Sequence, residues 1–453
     1  MQSSPAKEND RSAMPYLDGN PTLDRPLVVQ FCANDPEELL KAAQYVQPYC
    51  DAVDLNLGCP QGIARKGNYG AFLQEDQDLI YRLINKLHKH LGIPVTAKMR
   101  VLATKEQTLQ YARRILAAGA SIITVHGRQR DQKGHKTGLA DWSMLRYLRE
   151  QLPPETVIFA NGNVLRHEDL QMCLDFTGAD AVMSAEGNLH DPTIFATPPA
   201  IGEEGREYWR GRNGKGGYRM DAVFRRYMDI IYERILEKPP PARKPLFLPS
   251  DPDPEPEQTR SLKSSFDQEP PEKKRRKNNH ERPTSPSLTA MQPHLFHLLR
   301  ALVSKQTHIR DALAKCRAGD IAAFEHVLQM TEAAVQQGLL DYKANPSQFD
   351  DPEPPRGLSD KQLKEAENSD ESSLLTVAAC KRPWWVCQPY VRPLPKEALE
   401  KGSIKLSKKE KRKLEEEEQA LKSVKARKSE REVLDQRDGV PAGEMPGQAM
   451  VAG

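Results

Sequence analysis

Residues 54–60 read Asp-Leu-Asn-Leu-Gly-Cys-Pro. With Ala52 and Val53 ahead of them, they make a buried-strand pattern that runs into a glycine, a lone cysteine and a helix-hostile proline. This puts the Cys59 thiol at the C-terminal mouth of a strand, where a parallel α/β barrel presents its reacting groups. A free cysteine is also among the residue types most often packed into a core, so the segment alone names no reaction. The strands on either side carry the decision.

Outward from this segment, short β-rich runs alternate with amphipathic helical stretches, the pattern of a parallel α/β fold. Leu27 to Phe31 is the first strand, and Asp35-Pro36-Glu37-Glu38 opens a helix with an N-cap, a proline at its first position and early acids. After the strand Ala52 to Leu57, a helix carries Leu79, Leu83, Leu87 and Leu91 at fourfold spacing and stops before Gly92 and Pro94. Val95 to Met99 leads to a helix with Thr104 and Gln107 as a capping box. Ile122 to His126, Val157 to Ala160 and Ala181 to Ser184 complete the series, with helices from Asp141 and around Leu170 and Leu174 between them. That makes six βα units where a closed barrel has eight. The expected fold is therefore a TIM-type (β/α)8 barrel, incomplete at its N-terminus.

Polar or reactive residues fall at the same end of every strand: Gln30, Asn56 with Cys59, Lys98, His126, Asn161-Gly162-Asn163 and Ser184-Ala185-Glu186-Gly187. In a parallel barrel these dispersed positions converge on one pocket. Glycine-containing turns after the last two strands offer backbone N–H groups to a phosphate. Lys98 and His126, from neighbouring strands, can set positive charge and hydrogen bonds beside an electron-accepting ring. Taken singly, His126 reads more readily as a satisfied core histidine and Lys98 as a snorkelling rim lysine. Together with the thiol and the phosphate turn they point to flavin redox chemistry in which Cys59 gives a proton.

The rest of the chain is of a different kind. Among 453 residues there are 36 prolines, 28% are charged and the net charge is +3, and the mean hydropathy is -0.68. Such a chain cannot pack all of itself into cores. Residues 1–26 read as an irregular remnant, 27–237 as the barrel, 238–288 as a disordered, Pro-rich basic linker, 289–345 as a small all-α domain and 346–453 as a largely disordered tail. Within that tail, Trp384-Trp385-Val386-Cys387-Gln388-Pro389-Tyr390, part of 384–393, is an aromatic island read as a clasp folded back on the barrel in preference to a base-stacking platform. Lys273–Lys277 and Lys408–Lys413 are basic runs of the nucleic-acid or nuclear-targeting kind, or simply solvated linker. The seven cysteines form no CxxC pair, and neither a disulfide framework nor a metal site is expected. With no signal-peptide core and no bilayer-length apolar run, the expectation is a monomer of the cytoplasm or nucleus with no membrane contact.

At this point the sequence resembles the tRNA-dihydrouridine synthases, and within them the eukaryotic branch assigned to D-loop uridines 16 and 17. Val-Gln-Phe-Cys-Ala-Asn-Asp-Pro (29–36), the segment 54–61, Tyr-Gly-Ala-Phe-Leu (69–73), Thr-Val-His-Gly-Arg (124–128), Ala-Asn-Gly-Asn (160–163) and Val-Met-Ser-Ala-Glu-Gly-Asn-Leu (182–189) carry it, with Cys-Gln-Pro-Tyr-Val-Arg-Pro at 387–393. The resemblance implies an FMN enzyme that takes hydride from NADPH or NADH and reduces a flipped-out uridine of tRNA, with Cys59 as proton donor to C5. It implies that Gln30, Lys98 and His126 contact the isoalloxazine, and that Asn161, Gly162, Asn163, Ala185 and Glu186 surround the ribityl phosphate. It further implies that Asn56 lies near the uracil, Arg128 near substrate RNA, and the helical domain grips tRNA.

Two departures qualify these expectations. The family's first two βα units are absent, which reads as a truncated gene model or isoform, and Glu186 stands where many bacterial relatives have arginine. The alternative reading is accordingly a catalytically impaired form acting only as an RNA-binding protein. A dihydropyrimidine or dihydroorotate dehydrogenase is disfavoured by the lack of Fe–S cysteine clusters.

Overall fold

The computed structural model describes residues 25–251, 285–349, 373–392 and 394. Six strands, β1 (Val28–Phe31), β2 (Ala52–Leu57), β3 (Val95–Arg100), β4 (Ile122–His126), β5 (Val157–Asn161) and β6 (Ala181–Met183), pair in parallel and in sequence order. Helices lie between them: α1 (Pro36–Val46), α2 (Gly62–Lys66), α3 (Gln77–His90), α4 (Lys105–Ala117), α5 (Trp142–Gln151) and α6 (Glu168–Thr177). The sheet curls into an incomplete (β/α)8 barrel, as the alternating pattern predicts. Asp35 caps α1 by accepting from the amides of Glu37 and Glu38, and Thr104 caps α4 by accepting from that of Gln107.

Strand alternation sorts the residues of this sheet by chemistry. Val53, Leu55 and Leu57 of β2, Val95, Ala97 and Met99 of β3, and Ile123 and Val125 of β4 enter one apolar core with Leu79, Ile80, Leu83, Ile84 and Leu87 of α3. The intervening residues, Asp54 and Asn56, Thr96, Lys98 and Arg100, Thr124 and His126, share the opposite face. A closed barrel usually fills that inner face with branched apolar side chains. Here it is a polar wall, and the register sets Gln30 beside Asp54, Asn56 beside Lys98, and Arg100 beside His126.

A second core lies beyond residue 200, and its membership differs from the sequence reading. The helix α8 (Met220–Ile230), which the reading counts with the barrel up to 237, buries Met220, Val223, Phe224 and Met228 against the all-α part. A short helix α7 (Glu186–His190) precedes it, and the all-α part comprises α9 (Pro286–Leu298), α10 (Arg300–Lys305), α11 (Thr307–Lys315) and α12 (Ile321–Ala344). An amphipathic face fixes that a helix is covered, not what covers it. Residues 238–251, read as the start of a disordered linker, are packed: Leu246 is buried, Arg243 pairs with Asp229 and Glu325, and Arg206 pairs with Asp251. Residues 252–284, the N-terminal remnant up to 24 and the tail beyond 394, with both basic runs, lie outside the described residues.

The antiparallel hairpin β7 (Tyr208–Arg210) and β8 (Gly216–Tyr218) is absent from the sequence reading, although Asn213-Gly214 between the strands is a hairpin signal. The aromatic island docks there. Trp385 is fully buried in the second core, its carbonyl accepts from the Met220 amide, Val386 bridges to Arg219, and the Cys387 amide donates to the Tyr218 carbonyl. The clasp therefore grips the hairpin and the helices rather than the barrel. Only its last part crosses over, where Tyr390 stacks near His190 and Arg392 pairs with Glu186.

Candidate active site

The polar wall is wired from the barrel interior to the Cys59 turn. Asp54, 5% exposed, accepts from Thr96 Oγ1 at 2.6 Å and from Gln30 Nε2 at 2.6 Å. Gln30 Oε1 accepts in turn from Asn56 Nδ2 at 2.9 Å, which fixes the amide so that Asn56 Oδ1 faces the turn. That oxygen accepts from the backbone amides of Gly58 and Cys59, each at 3.0 Å. Burial pushes the Asp54 carboxyl up, against the hydrogen bonds from Thr96 and Gln30. The chain of bonds makes Asn56 and Gln30 holders of the cysteine turn, and Asp54 the holder of both.

Two further features pin Cys59. Arg100, 8% exposed, donates through Nε to the Gly58 carbonyl at 2.7 Å and through Nη1 to the Gln129 carbonyl at 2.8 Å. The segment 69–73 closes over the turn, with the Ala71 amide donating to the Cys59 carbonyl at 3.0 Å. Gly70, at φ +65°, sits where a Cβ would lie 2.9 Å from both the Cβ and the carbonyl oxygen of Cys59. Asp54, Thr96, Arg100 and Gly70 were not singled out from the sequence. The signal was there for Asp54, a carboxylate two residues before Asn56 on the same face of a strand whose other residues are apolar.

Lys98 and His126 stand on adjacent strands beside this wall. Burial, with Arg100 nearby, lowers the Lys98 ammonium to about 8, and the side chain makes no hydrogen bond or ion pair among the described residues. Burial and the surrounding Lys98, Arg100 and Arg128 push the His126 imidazole down to about 2, so it is neutral. Its Nε2 lies 3.0 Å from Arg128 Nη1 and accepts from that cation, which leaves the ring proton on Nδ1. Arg128, expected near substrate RNA, is held by neighbouring loops. Its guanidinium turns inward, donating to the Gly138 carbonyl at 2.9 Å and to Asn163 Oδ1 at 2.5 Å, and burial lowers it to about 10.

The two turns expected to hold an anion lie side by side. Asn161 Nδ2 donates to the Met183 carbonyl at 2.8 Å, and Ser184 Oγ to the Val164 carbonyl at 2.8 Å, tying the end of β5 to the end of β6. Gly162, at φ +108°, and Asn163, at φ 58°, bend the first turn sharply. A Cβ on Gly162 would stand 2.7 Å from Ala140 Cβ and 2.9 Å from His126 Cδ2. Ala185 is exposed beside this turn, and Glu186 accepts from Arg392 Nη2 at 2.7 Å and Nε at 3.0 Å. Among the described residues no cluster of His, Cys, Asp or Glu is set to hold a metal. No helix there is long and apolar enough to cross a membrane.

Known proteins resemble this chain over much of its length. The family model described as dihydrouridine synthase (Dus) matches residues 4–209. The chain is 41% identical over 378 residues to the tRNA-dihydrouridine(16/17) synthase (NAD(P)(+)) of Saccharomyces cerevisiae, covering 83% of this chain and 72% of that protein. It is 41% identical over 374 residues to the protein of the same name from Schizosaccharomyces pombe, covering 82% and 74%. A tRNA-dihydrouridine(20a/20b) synthase of Saccharomyces cerevisiae is more distant, at 31% identity over 176 residues, or 38% of this chain and 47% of that protein. With a strand-end thiol held in a polar barrel interior and this agreement over most of its length, the chain belongs to the dihydrouridine synthase family of oxidoreductase enzymes.

Proposed function

We propose that this chain reduces uridine to 5,6-dihydrouridine in the D-loop of tRNA, at positions 16 and 17, using bound FMN and reducing equivalents from NADPH or NADH. The observation that carries the reading is the convergence of Cys59, held by Asn56, with Lys98 and neutral His126 on one polar wall. The names of the fungal relatives support the tRNA substrate, the positions and the nicotinamide donor. The residues fit a flavin nucleotide: Lys98 is a buried cation without a bonded partner among the described residues, and Gly162 lets the turn after β5 pass close against the His126 ring, which a Cβ would strike.

FMN bound there would supply the hydride that reaches C6 of the uracil. Lys98 and His126 would line the ring, with Lys98 favouring negative charge on it and His126 orienting it through Nδ1–H. Asn161, Gly162, Asn163, Ala185 and Glu186 would surround the phosphate end. Cys59 gives its thiol proton to C5, so it must enter the reaction as the thiol and not as the thiolate. Asn56 and Gln30 set its direction through the backbone of the turn. The helices α9 to α12 are the proposed grip on the folded RNA, since the reacting base must leave its stack to reach the pocket.

The test is to purify the full chain, record its flavin absorbance and measure dihydrouridine formed in tRNA. Cys59→Ala is expected to retain flavin and lose reduction by a factor of at least about 100, the lower end of the general-acid contribution. Undiminished turnover in that variant removes Cys59 as the proton donor. A second reading, RNA binding without turnover, draws on β1, which has a strand partner on one side only among the described residues and leaves Val28 51% exposed. A colourless protein that still binds tRNA would select it.

A further inference from the structure

Residues more than 200 apart in sequence meet at the phosphate end of the site, and the tail supplies the charge. Glu186 follows β6 directly, so its carboxylate stands at the rim of the anion cradle formed by the turns at 161–163 and 184–187. Alone it would oppose a phosphate dianion. Arg392 covers it, donating through Nη2 at 2.7 Å and through Nε at 3.0 and 3.2 Å. That pairing uses one edge of the guanidinium. Among the described residues Nη1 makes no hydrogen bond, which leaves the other edge of the fork, a shape matched to phosphate oxygens, free to donate.

The placement of Arg392 is built rather than incidental. Trp385 anchors the segment in the second core, and Tyr390 lies against the Arg300 guanidinium, 3.6 Å from its ring centroid, and near the His190 ring, 6.3 Å between centroids. Both Glu186 and Arg392 are near enough to Arg128 to act on its charge, and Arg128 is bonded to Asn163 of the cradle. Two guanidiniums thus converge on the cradle around a single carboxylate, a local excess of positive charge that a dianion would neutralise.

We propose that Arg392, carried back from the distal segment and aligned by Glu186, is a ligand of the cofactor phosphate, so that the phosphate site is completed by the tail clasp. This rests on the flavin reading above. It also gives the clasp a part in cofactor retention beyond its packing.

The test compares FMN with riboflavin, which lacks the phosphate, by fluorescence titration of the apoprotein of the full chain and of Arg392→Ala. The proposal expects Arg392→Ala to weaken FMN by about 10- to 100-fold, the loss of hydrogen bonds to a charged group, with riboflavin affinity unchanged. Glu186→Gln added to Arg392→Ala should recover part of the FMN affinity, because it removes the unmasked carboxylate. Equal losses for both flavins would assign Arg392 a merely structural role and overturn the proposal. Unchanged affinity for both would reduce the pair to a surface ion pair and overturn it as well. If the unaltered chain binds neither flavin, the flavin reading itself falls along with this one.

Discussion

Lys98 shows how the site sets reactivity at the scale of one residue. Its ammonium is stripped of water and stands near Arg100, and Asp54 offsets this only in part, so its affinity for the proton drops from the ordinary lysine value to about 8. Because the folded value lies below the unfolded one, the folded chain holds fewer protons than the unfolded chain between pH 8 and 10.5, and in that window stability rises with pH. Activity should move the other way, since the charged form is the useful one and is lost as pH rises through about 8. We expect kcat/KM for tRNA reduction to show an alkaline limb near that pH, which Lys98→Arg moves to higher pH because its guanidinium stays charged. A wild-type profile flat to pH 10 would remove the electrostatic role of Lys98. His126 contributes no limb in the neutral range, because at about 2 its ring stays neutral throughout. Lys98, His126 and Cys59 were legible in the sequence because each lies at or near the C-terminal end of a strand. The inward turn of Arg128 was not, since its partners Gly138 and Asn163 lie in loops whose course no periodicity records.

At the scale of elements, the turn after β2 works only because the segment 69–73 packs against it. Gly70 is the contact point, and two costs meet there: a left-handed φ of +65° and a Cβ 2.9 Å from the backbone of Cys59. Gly70→Ala should therefore displace the thiol more than it loosens the barrel. We expect kcat to fall by at least about tenfold, in line with the sensitivity of positioned groups to small shifts, with flavin content retained. Loss of flavin in the same proportion as kcat would show that the substitution disturbs the whole barrel instead. The strands and their order were readable because alternating apolar and polar residues report a sheet with one face on helices and one on a polar interior. The hairpin at 208–218 escaped because its strands are three residues each, too short for alternation to register. The allegiance of α8 escaped for another reason: its apolar stripe was visible, but the stripes of α9 and α12 that cover it lie beyond an intervening stretch of at least 50 residues.

The whole molecule is held together by side chains that cross between its two cores. His190, 1% exposed, donates or accepts through Nδ1 at the His297 carbonyl, 2.8 Å away, and the carbonyl oxygen fixes the choice: Nδ1 donates. The clasp adds a second crossing, with Trp385 sunk among Trp209, Tyr342 and Phe349 while Arg392 reaches the barrel. Trp385 should then act as a keystone for both cores. Trp385→Ala is expected to cost about 3–5 kcal/mol, the usual loss for emptying so large a buried volume. Trp385→Phe should cost less, because the indole N–H has no hydrogen-bond partner among the described residues and its removal strands nothing. Thermal unfolding of the three proteins ranks them, and an alanine variant as stable as the parent would mean that the clasp rests on the surface. The coupling has a directional consequence. If the clasp holds Arg392 at the cradle, Trp385→Ala must weaken FMN more than riboflavin at temperatures where the barrel is still folded, whereas a loss shared equally by the two flavins would place the effect of the tryptophan in the fold alone.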